Sequence, residues 1–173
     1  TFSDWWAYKW EVRYAIPYNA SIMHEEGVTV AINSDDAEMG RRLNQEASKS
    51  VKYGDMSEQD AIKMVTLNPA KLLHLEDRIG SIKEGKDADL VIWSDNPLSI
   101  YAKAEKTIID GAIYYDIERD LELRKEIREE RSRLISKMKG AKTNGKPIQP
   151  AKAEKINDFH CDDMESGYQL EEL

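Results

Sequence analysis

The segment 28–36, with the sequence VTVAINSDD, constrains the fold more than any other part of the chain. Its apolar residues alternate, so Val28, Val30 and Ile32 are expected on one buried face of a β-strand. This strand ends in polar residues and two carboxylates. Because α/β barrels present functional groups at the carboxyl ends of their strands, we expect an α/β fold with Asp35 at the edge of an active site.

Helical periodicity flanks this strand on both sides. The residues 15–26 predict a helix that Gly27 ends. After the strand, one helix is predicted from Glu38 to Gly54, because apolar residues recur every four positions, at Met39, Leu43, Ala47 and Val51.

Two helix start signals follow. Ser57 is a good N-cap residue for a short helix with Ala61 turned inward. Asn68 followed by Pro69 predicts another start, with Asn as N-cap and Pro at the first helical position. Together with the preceding strand, these helices indicate αβ units.

Beyond residue 80 the periodicity changes from helical to strand-like. The run 88–93 predicts a strand that is buried on both faces. Asp110 and Gly111 lie between two further apolar runs, and an Asp-Gly pair in that context is a strong signal for a hairpin turn. This part of the chain therefore predicts a small β element.

The chain continues with a charged segment, 117–138, that predicts one helix with a broken apolar stripe docked on the barrel. The last residues, 156–173, contain six acids and no Lys or Arg, which predicts a solvated tail. We thus divide the chain into a barrel part, β strands, a C-terminal helix and a polar, acidic tail, at 1–79, 80–117, 118–139 and 140–173.

Composition excludes several classes of function. The formal net charge of −8 argues against a nucleic-acid partner, because phosphate binding requires clustered Lys and Arg. No apolar run approaches the roughly 18 residues of a membrane span, so a soluble chain is predicted. The single cysteine, Cys161, excludes an internal disulfide framework and leaves the cellular location open.

Two stretches, LNPAKLLHL at 67–75 and GSIKEGKDADLVIW at 80–93, resemble the closing portion of the metal-dependent amidohydrolase superfamily, in its imidazolonepropionase-like branch. The pair Ser34 and Asp35 matches the family pattern at the end of the eighth barrel strand. The resemblance covers 15–116. It implies the C-terminal fragment of a (β/α)8 barrel, followed by returning strands of a small β-sandwich, a helix and a tail.

This resemblance also implies a function. The complete protein would be a metal-dependent hydrolase that acts on non-peptide, cyclic amide-like carbon-nitrogen bonds of a small molecule. A divalent metal, zinc by the family pattern, is expected in the complete protein and not in this chain alone. The remainder of the parent barrel is the expected partner, the 173-residue chain alone is expected to be inactive, and self-association is left open.

Asp35 is the residue to which the resemblance assigns catalysis, as general acid and base and as the one metal ligand that this chain offers. Asn33 and Ser34 are expected to orient its carboxylate. Asp36 is the alternative, because adjacent residues on a strand point in opposite directions and only one carboxylate can face the barrel mouth. A purely structural interpretation has both acids capping the next helix.

The histidines do not form a metal-binding pattern, since no His-x-His pair occurs. His24 and His74 are expected to be structural. His160 lies beside Cys161 and Asp162, and this isolated cluster is weak evidence for a metal site against a solvated tail.

Aromatic residues are concentrated near the beginning of the chain, at Trp5, Trp6, Tyr8 and Trp10. Packing or a lid beside the barrel rim is the favoured interpretation, and direct contact with substrate is the alternative.

Two other classes of function stay open. A barrel of this kind that has lost its metal ligands would serve as a non-catalytic binding or scaffold protein. A free-standing interaction module would use the acidic tail, but it would have to leave the edges of a lone barrel strand unpaired.

Overall fold

The computed structural model of the chain describes residues 1–3, 5–34 and 36–149. The predictions for Asp35 and for the tail, with His160 and Cys161, lie outside these residues. After a 3-10 turn, Trp10–Val12, the described elements are the helices α1 (Asn19–Glu25), α2 (Ala37–Gly40), α3 (Leu43–Gly54), α4 (Glu58–Lys63) and α5 (Leu67–Leu72), the strands β1 (Leu90–Trp93), β2 (Ala104–Ile109) and β3 (Ala112–Asp116), and the helix α6 (Ile117–Thr143).

A small apolar core lies between the first helices and the segment 28–34. Its buried members come from α1, α3, α4, the residues on either side of α4, and this segment, and they are Ala20, Val30, Ile32, Ala47, Met56, Ala61 and Met64. Val28 is 46% exposed, which corrects the prediction that it shares the buried face. The strand predicted at the start of 28–36 is not observed: within the described residues, 28–34 belongs to no sheet, and its backbone groups bond to Thr1, Met64 and Asn68 rather than to a described strand.

The helix starts are partly corrected. Helix α1 begins at Asn19 rather than near residue 15, because the residue before Pro17 is disfavoured in the α conformation. The single helix predicted from Glu38 is two helices, and α2 ends at Gly40, the residue with the lowest helix propensity in this stretch.

Two capping predictions have opposite outcomes. The Ser57 hydroxyl accepts a hydrogen bond from the Asp60 backbone nitrogen at 3.1 Å, so Ser57 is the predicted N-cap. Asn68 is not an N-cap: α5 begins at Leu67, two residues before the predicted start at Pro69, and the side chain of Asn68 bonds elsewhere.

The three strands form an antiparallel sheet in the order β1-β2-β3. The predicted hairpin is present, with φ of 50° at Asp110 and 77° at Gly111. The prediction of a strand buried on both faces is wrong for the described residues. Val91 and Ile92 are exposed, because β1 lies at an edge of the sheet and nothing described covers it.

Two side-chain amides connect the sheet region to the helices. Asn44 of α3 donates to the Pro97 carbonyl at 2.6 Å, and Asn96 donates to the Glu58 carboxylate at 2.8 Å. Leu98, in the same turn, packs against the core. The turn between β1 and β2 is therefore held against α3 and α4.

Helix α6 is longer than predicted and, although all of it is described, it buries none of its residues. It contacts β2 and β3, so docking on the barrel part is not seen among the described residues. Its N-cap is Asp116, whose carboxylate accepts from the Glu118 nitrogen at 3.0 Å and pairs with Lys106 at 2.9 Å. In the part of the chain that is described, no helix is both long and apolar enough to cross a bilayer.

The N-cap of α6 should respond to pH. The hydrogen bond from Lys106, followed by the backbone bonds from Glu118 and Arg119 and by the charge of Lys106, holds the pKa of Asp116 below its ordinary value of 3.8. The ionised Asp116 carboxylate therefore stabilises the start of α6 at pH values above 3.8. This stabilisation is lost as the pH falls through the lowered pKa. We expect amide exchange at Glu118 to speed up in Asp116→Ala at neutral pH, by hydrogen-exchange mass spectrometry.

The matched control is Asp120→Ala, which removes an ion pair with Arg124 inside the same helix but no cap. Equal acceleration at Glu118 in both variants would contradict the capping role.

Candidate functional site

The backbone of Thr1 lies against the segment 31–33 in the manner of parallel strands. The Thr1 nitrogen donates to the Ala31 carbonyl at 2.7 Å, and the Asn33 nitrogen donates to the Thr1 carbonyl at 2.9 Å. One residue that bonds to positions on both sides of Ile32 is the pattern of a parallel bridge. The chain after Thr1 and the chain after Asn33 therefore leave at the same edge.

At this edge, Ser34 and Asp36 form a tight turn. The Ser34 hydroxyl accepts from the Asp36 nitrogen and donates to the Asp36 carbonyl, both at 3.0 Å. The Asp36 carboxylate then accepts from the Met39 nitrogen at 2.9 Å, which caps α2. Of the two adjacent acids, Asp36 thus has a structural use at the start of a helix.

Asn33 and Ser34, the other two predicted site residues, differ in their exposure to solvent. Asn33 is exposed and donates its backbone nitrogen to the pairing with Thr1, while Ser34 is half-buried in the turn. Their expected effect on the carboxylate of Asp35 stays a prediction, because Asp35 lies outside the described residues.

Two groups, one just after α4 and one in α5, hold the segment that leads to this edge. The Met64 carbonyl accepts from the Ile32 nitrogen at 3.0 Å, and the Met64 side chain is fully buried. The Asn68 amide donates to the Val30 carbonyl at 2.7 Å. The Ile32 nitrogen and the Val30 carbonyl are thus both hydrogen-bonded to groups on the helical side of the segment. These bonds fix the position of the segment against the core.

A set of hydrogen-bonded polar side chains, two of them buried, holds the first residues of the chain at this edge. The Ser3 hydroxyl donates to the Glu46 carboxylate of α3, and the Lys49 ammonium pairs with the same carboxylate at 2.7 Å. Ser3 and Glu46 are both buried. The sequence signal for this group is weak, because a Glu that lies next to an apolar stripe and three residues before a Lys is common on exposed helices.

Aromatic side chains stand beside the edge. Phe2 stacks on Trp5 with ring centroids 5.5 Å apart, and Tyr8 meets Trp5 edge-on at 5.2 Å. The Trp5 indole nitrogen donates to the Met39 sulfur at 3.3 Å, close to the helix that Asp36 caps. The half-buried Trp5 fits the packing interpretation, while Trp6, Tyr8 and Trp10 keep exposed surface.

Neither His24 nor His74 belongs to a cluster of metal ligands among the described residues. His24 lies 3.9 Å from the Asp60 carboxylate, and His74 ends a short turn with φ of 57°. Among the residues that the structure describes, no three His, Cys, Asp or Glu side chains come together as metal ligands. The described residues alone therefore do not fit a metal centre.

The bond from Asn68 should matter both for stability and for the edge. Asn68→Ala removes the donor to the Val30 carbonyl, and we expect a loss of about 1 kcal/mol in the free energy of unfolding. In an assay of the complete protein, turnover should also fall, because the segment before Asp35 loses a support. Asn44→Ala is the control, since it breaks a similar bond to Pro97 away from this edge.

Thermal unfolding and turnover are measured for both variants. If Asn44→Ala lowers turnover as much as Asn68→Ala does, the bond to Val30 has no special relation to the edge.

The local structure at this edge thus consists of the Thr1 bonds to 31–33, the helices packed on that segment and the turn that caps α2. The Amidohydrolase family profile matches residues 18–148, and the chain belongs to that family. The fold comparison agrees: a crystal structure of an amidohydrolase from Thermotoga maritima is 36% identical, with a TM-score of 0.58 over 67% of this chain and 29% of that protein.

Curated relatives agree with this assignment. The amidohydrolase tasK of Hapsidospora irregularis is 33% identical over 116 residues, which is 66% of this chain and 12% of that protein. The imidazolonepropionase of Thermoplasma volcanium is 36% identical over 76 residues, 43% of this chain and 19% of that protein. The chain thus spans about a fifth or less of the length of these curated relatives; the predicted family is confirmed, and one relative carries the name of the predicted branch.

Proposed function

We propose that this chain supplies the acid-base residue of a metal-dependent amidohydrolase that acts on carbon-nitrogen bonds other than peptide bonds. The observation that carries the proposal is the use of Asp36 as the α2 cap at the end of the paired segment. Since adjacent side chains diverge, the neighbouring Asp35 is then the carboxylate available to the barrel mouth. Family membership supports the hydrolase class.

In the proposed reaction, the Asp35 carboxylate accepts a proton from water as the water oxygen attacks the amide carbon. The carbonyl oxygen gains the electron pair of the broken π bond, and a tetrahedral intermediate forms. Asp35, now protonated, gives the proton to the nitrogen as the carbon-nitrogen bond breaks. The products are a carboxylic acid and an amine, joined in one molecule when the substrate is cyclic.

The family generally uses a divalent metal, which when bound helps to activate the water. For this protein we propose zinc, with Asp35 as the ligand from this chain and the other ligands in the rest of the polypeptide. We also propose that β1, β2 and β3 complete a small β-sandwich with strands from the same remainder. Nothing in the described residues favours the non-catalytic scaffold.

A cyclic amide is the proposed substrate class, because one relative is named an imidazolonepropionase. The complete protein is incubated with imidazolone propionate and a panel of other cyclic amides, with linear dipeptides as the contrasting class. We expect ring opening of at least one cyclic amide, as measured by mass spectrometry. This activity should be lost after treatment with a chelator. Added zinc should restore it.

The 173-residue chain by itself should retain no stoichiometric zinc after dialysis, as measured by inductively coupled plasma mass spectrometry. Ring opening that survives complete metal removal, or cleavage of dipeptides only, would contradict the proposal.

A further inference from the structure

Helix α6 carries an apolar face without a described partner. Leu123, Ile127, Leu134 and Met138 lie along one side of the helix, and they are 42%, 64%, 50% and 40% exposed. Their spacing of four, seven and four residues keeps them within one stripe of an α-helix. We call these four residues the α6 apolar face.

The length of α6 makes this exposure unusual. A helix of 27 residues is about 40 Å long, and helices in proteins gain most of their stability from the packing of an apolar face. The ion pairs Arg124–Asp120 and Arg133–Glu130 lie within the helix and on its surface, where such pairs contribute little. The α6 apolar face therefore requires a partner.

The charge distribution along α6 indicates which partner fits. The residues 117–130 contain six acids and four bases, whereas 131–143 contain five bases and no acid. A copy of α6 that runs in the opposite direction places each acidic half against a basic half. A parallel copy would place the basic halves side by side.

The apolar positions have the same symmetry. When two antiparallel copies cross between Glu130 and Arg131, Leu123 lies opposite Met138 and Ile127 lies opposite Leu134. The stripe thus matches itself after a two-fold rotation, as an isologous interface requires. The acidic residues of 156–173 complement only the basic half of α6.

We propose that α6 is a self-association surface, on which the α6 apolar face of a second copy docks in antiparallel orientation. The inference is independent of the catalytic proposal, because it uses no residue of the edge near Asp35. The interface holds two equivalent copies of each contact, among them Glu126 of one protomer near Lys137 of the other.

Light scattering after size-exclusion chromatography of the complete protein tests this. The wild type is expected at twice the monomer mass at micromolar concentration, and Ile127→Glu with Leu134→Glu at the monomer mass. Leu121→Glu is the control, because Leu121 is 60% exposed but lies about 200° around the helix from Leu123. It should leave the dimer intact.

Charge-reversal variants distinguish a second copy of α6 from any other partner on the α6 apolar face. Glu126→Lys alone and Lys137→Glu alone should each raise the dimer dissociation constant about tenfold, because each replaces two attractive pairs by repulsive ones. The double variant restores both pairs and should return the constant to near the wild-type value. A different protein or segment on this face would give no such restoration.

Several results would overturn the proposal. One is a wild-type protein that stays monomeric at tens of micromolar, and another is a dimer that persists in the Ile127 and Leu134 variant. If deletion of 150–173 converts a monomer into a dimer, the acidic tail and not a second copy covers the face. A monomeric wild type whose melting temperature falls in Ile127→Glu would show that another part of the same polypeptide covers it.

Discussion

Asp35→Asn in the complete protein is expected to lower kcat at least a hundredfold while the protein stays folded. A general acid-base group typically contributes ~10² to 10⁴ in rate, and the amide of Asn can neither accept the proton of water nor return it to nitrogen. The measurement is turnover of the best cyclic amide from the panel, with circular dichroism as the check on folding. A loss of activity that follows a loss of fold would not count as support.

Asp36→Asn is the matched control for this experiment. Its carboxylate accepts from the Met39 nitrogen, and Asn is an equally good helix cap, so the variant should keep turnover within a few-fold of wild type. If Asp36→Asn abolishes activity and Asp35→Asn does not, the two carboxylates have the opposite roles from those proposed here.

Met64→Ala should produce the largest loss of stability, about 2–5 kcal/mol in the free energy of unfolding. The Met64 side chain is fully buried in the small core, and its own carbonyl holds the Ile32 nitrogen. Truncation leaves a cavity directly behind the segment that leads to Asp35. Urea unfolding of the complete protein measures the loss of stability. Hydrogen exchange at the Ile32 amide measures the effect on the segment.

Ile82→Ala serves as the control, because Ile82 is 89% exposed and surface truncations usually change stability by less than about 0.5 kcal/mol. A similar loss in the two variants would show that Ile82 is covered in the complete protein. A negligible loss in Met64→Ala would mean that the core described around α4 does not stabilise the protein.

Local signals in the sequence predicted local structure well. The Asp110-Gly111 turn and the Ser57 cap depend on residues close in the chain, and both are present as predicted. The family resemblance depended on two short stretches and was confirmed by the comparisons. The hairpin could be predicted because only a few backbone conformations join two adjacent strands by two residues.

Contacts between distant residues were not predictable from one sequence. Asn68 has the features of a helix cap, but its amide serves Val30, which lies far away in the chain. Glu46 resembles an exposed helical acid, yet it is buried with Ser3 because α3 packs against the first residues. In both cases the partner, and not the residue type, decides the role.

The parallel bridge between Thr1 and 31–33 has a consequence for how such a protein can diversify. The turn of Ser34 and Asp36 and the aromatic residues near the beginning of the chain belong to two separate stretches, which are connected by the Thr1 bonds to 31–33 and by the Trp5–Met39 contact. Replacement of residues near Trp6 or Tyr8 would reshape the surroundings of the edge and leave the hydrogen bonds of Ser34 and Asp36 unchanged. Substitutions can therefore accumulate in one stretch while the other keeps its hydrogen-bonded turn.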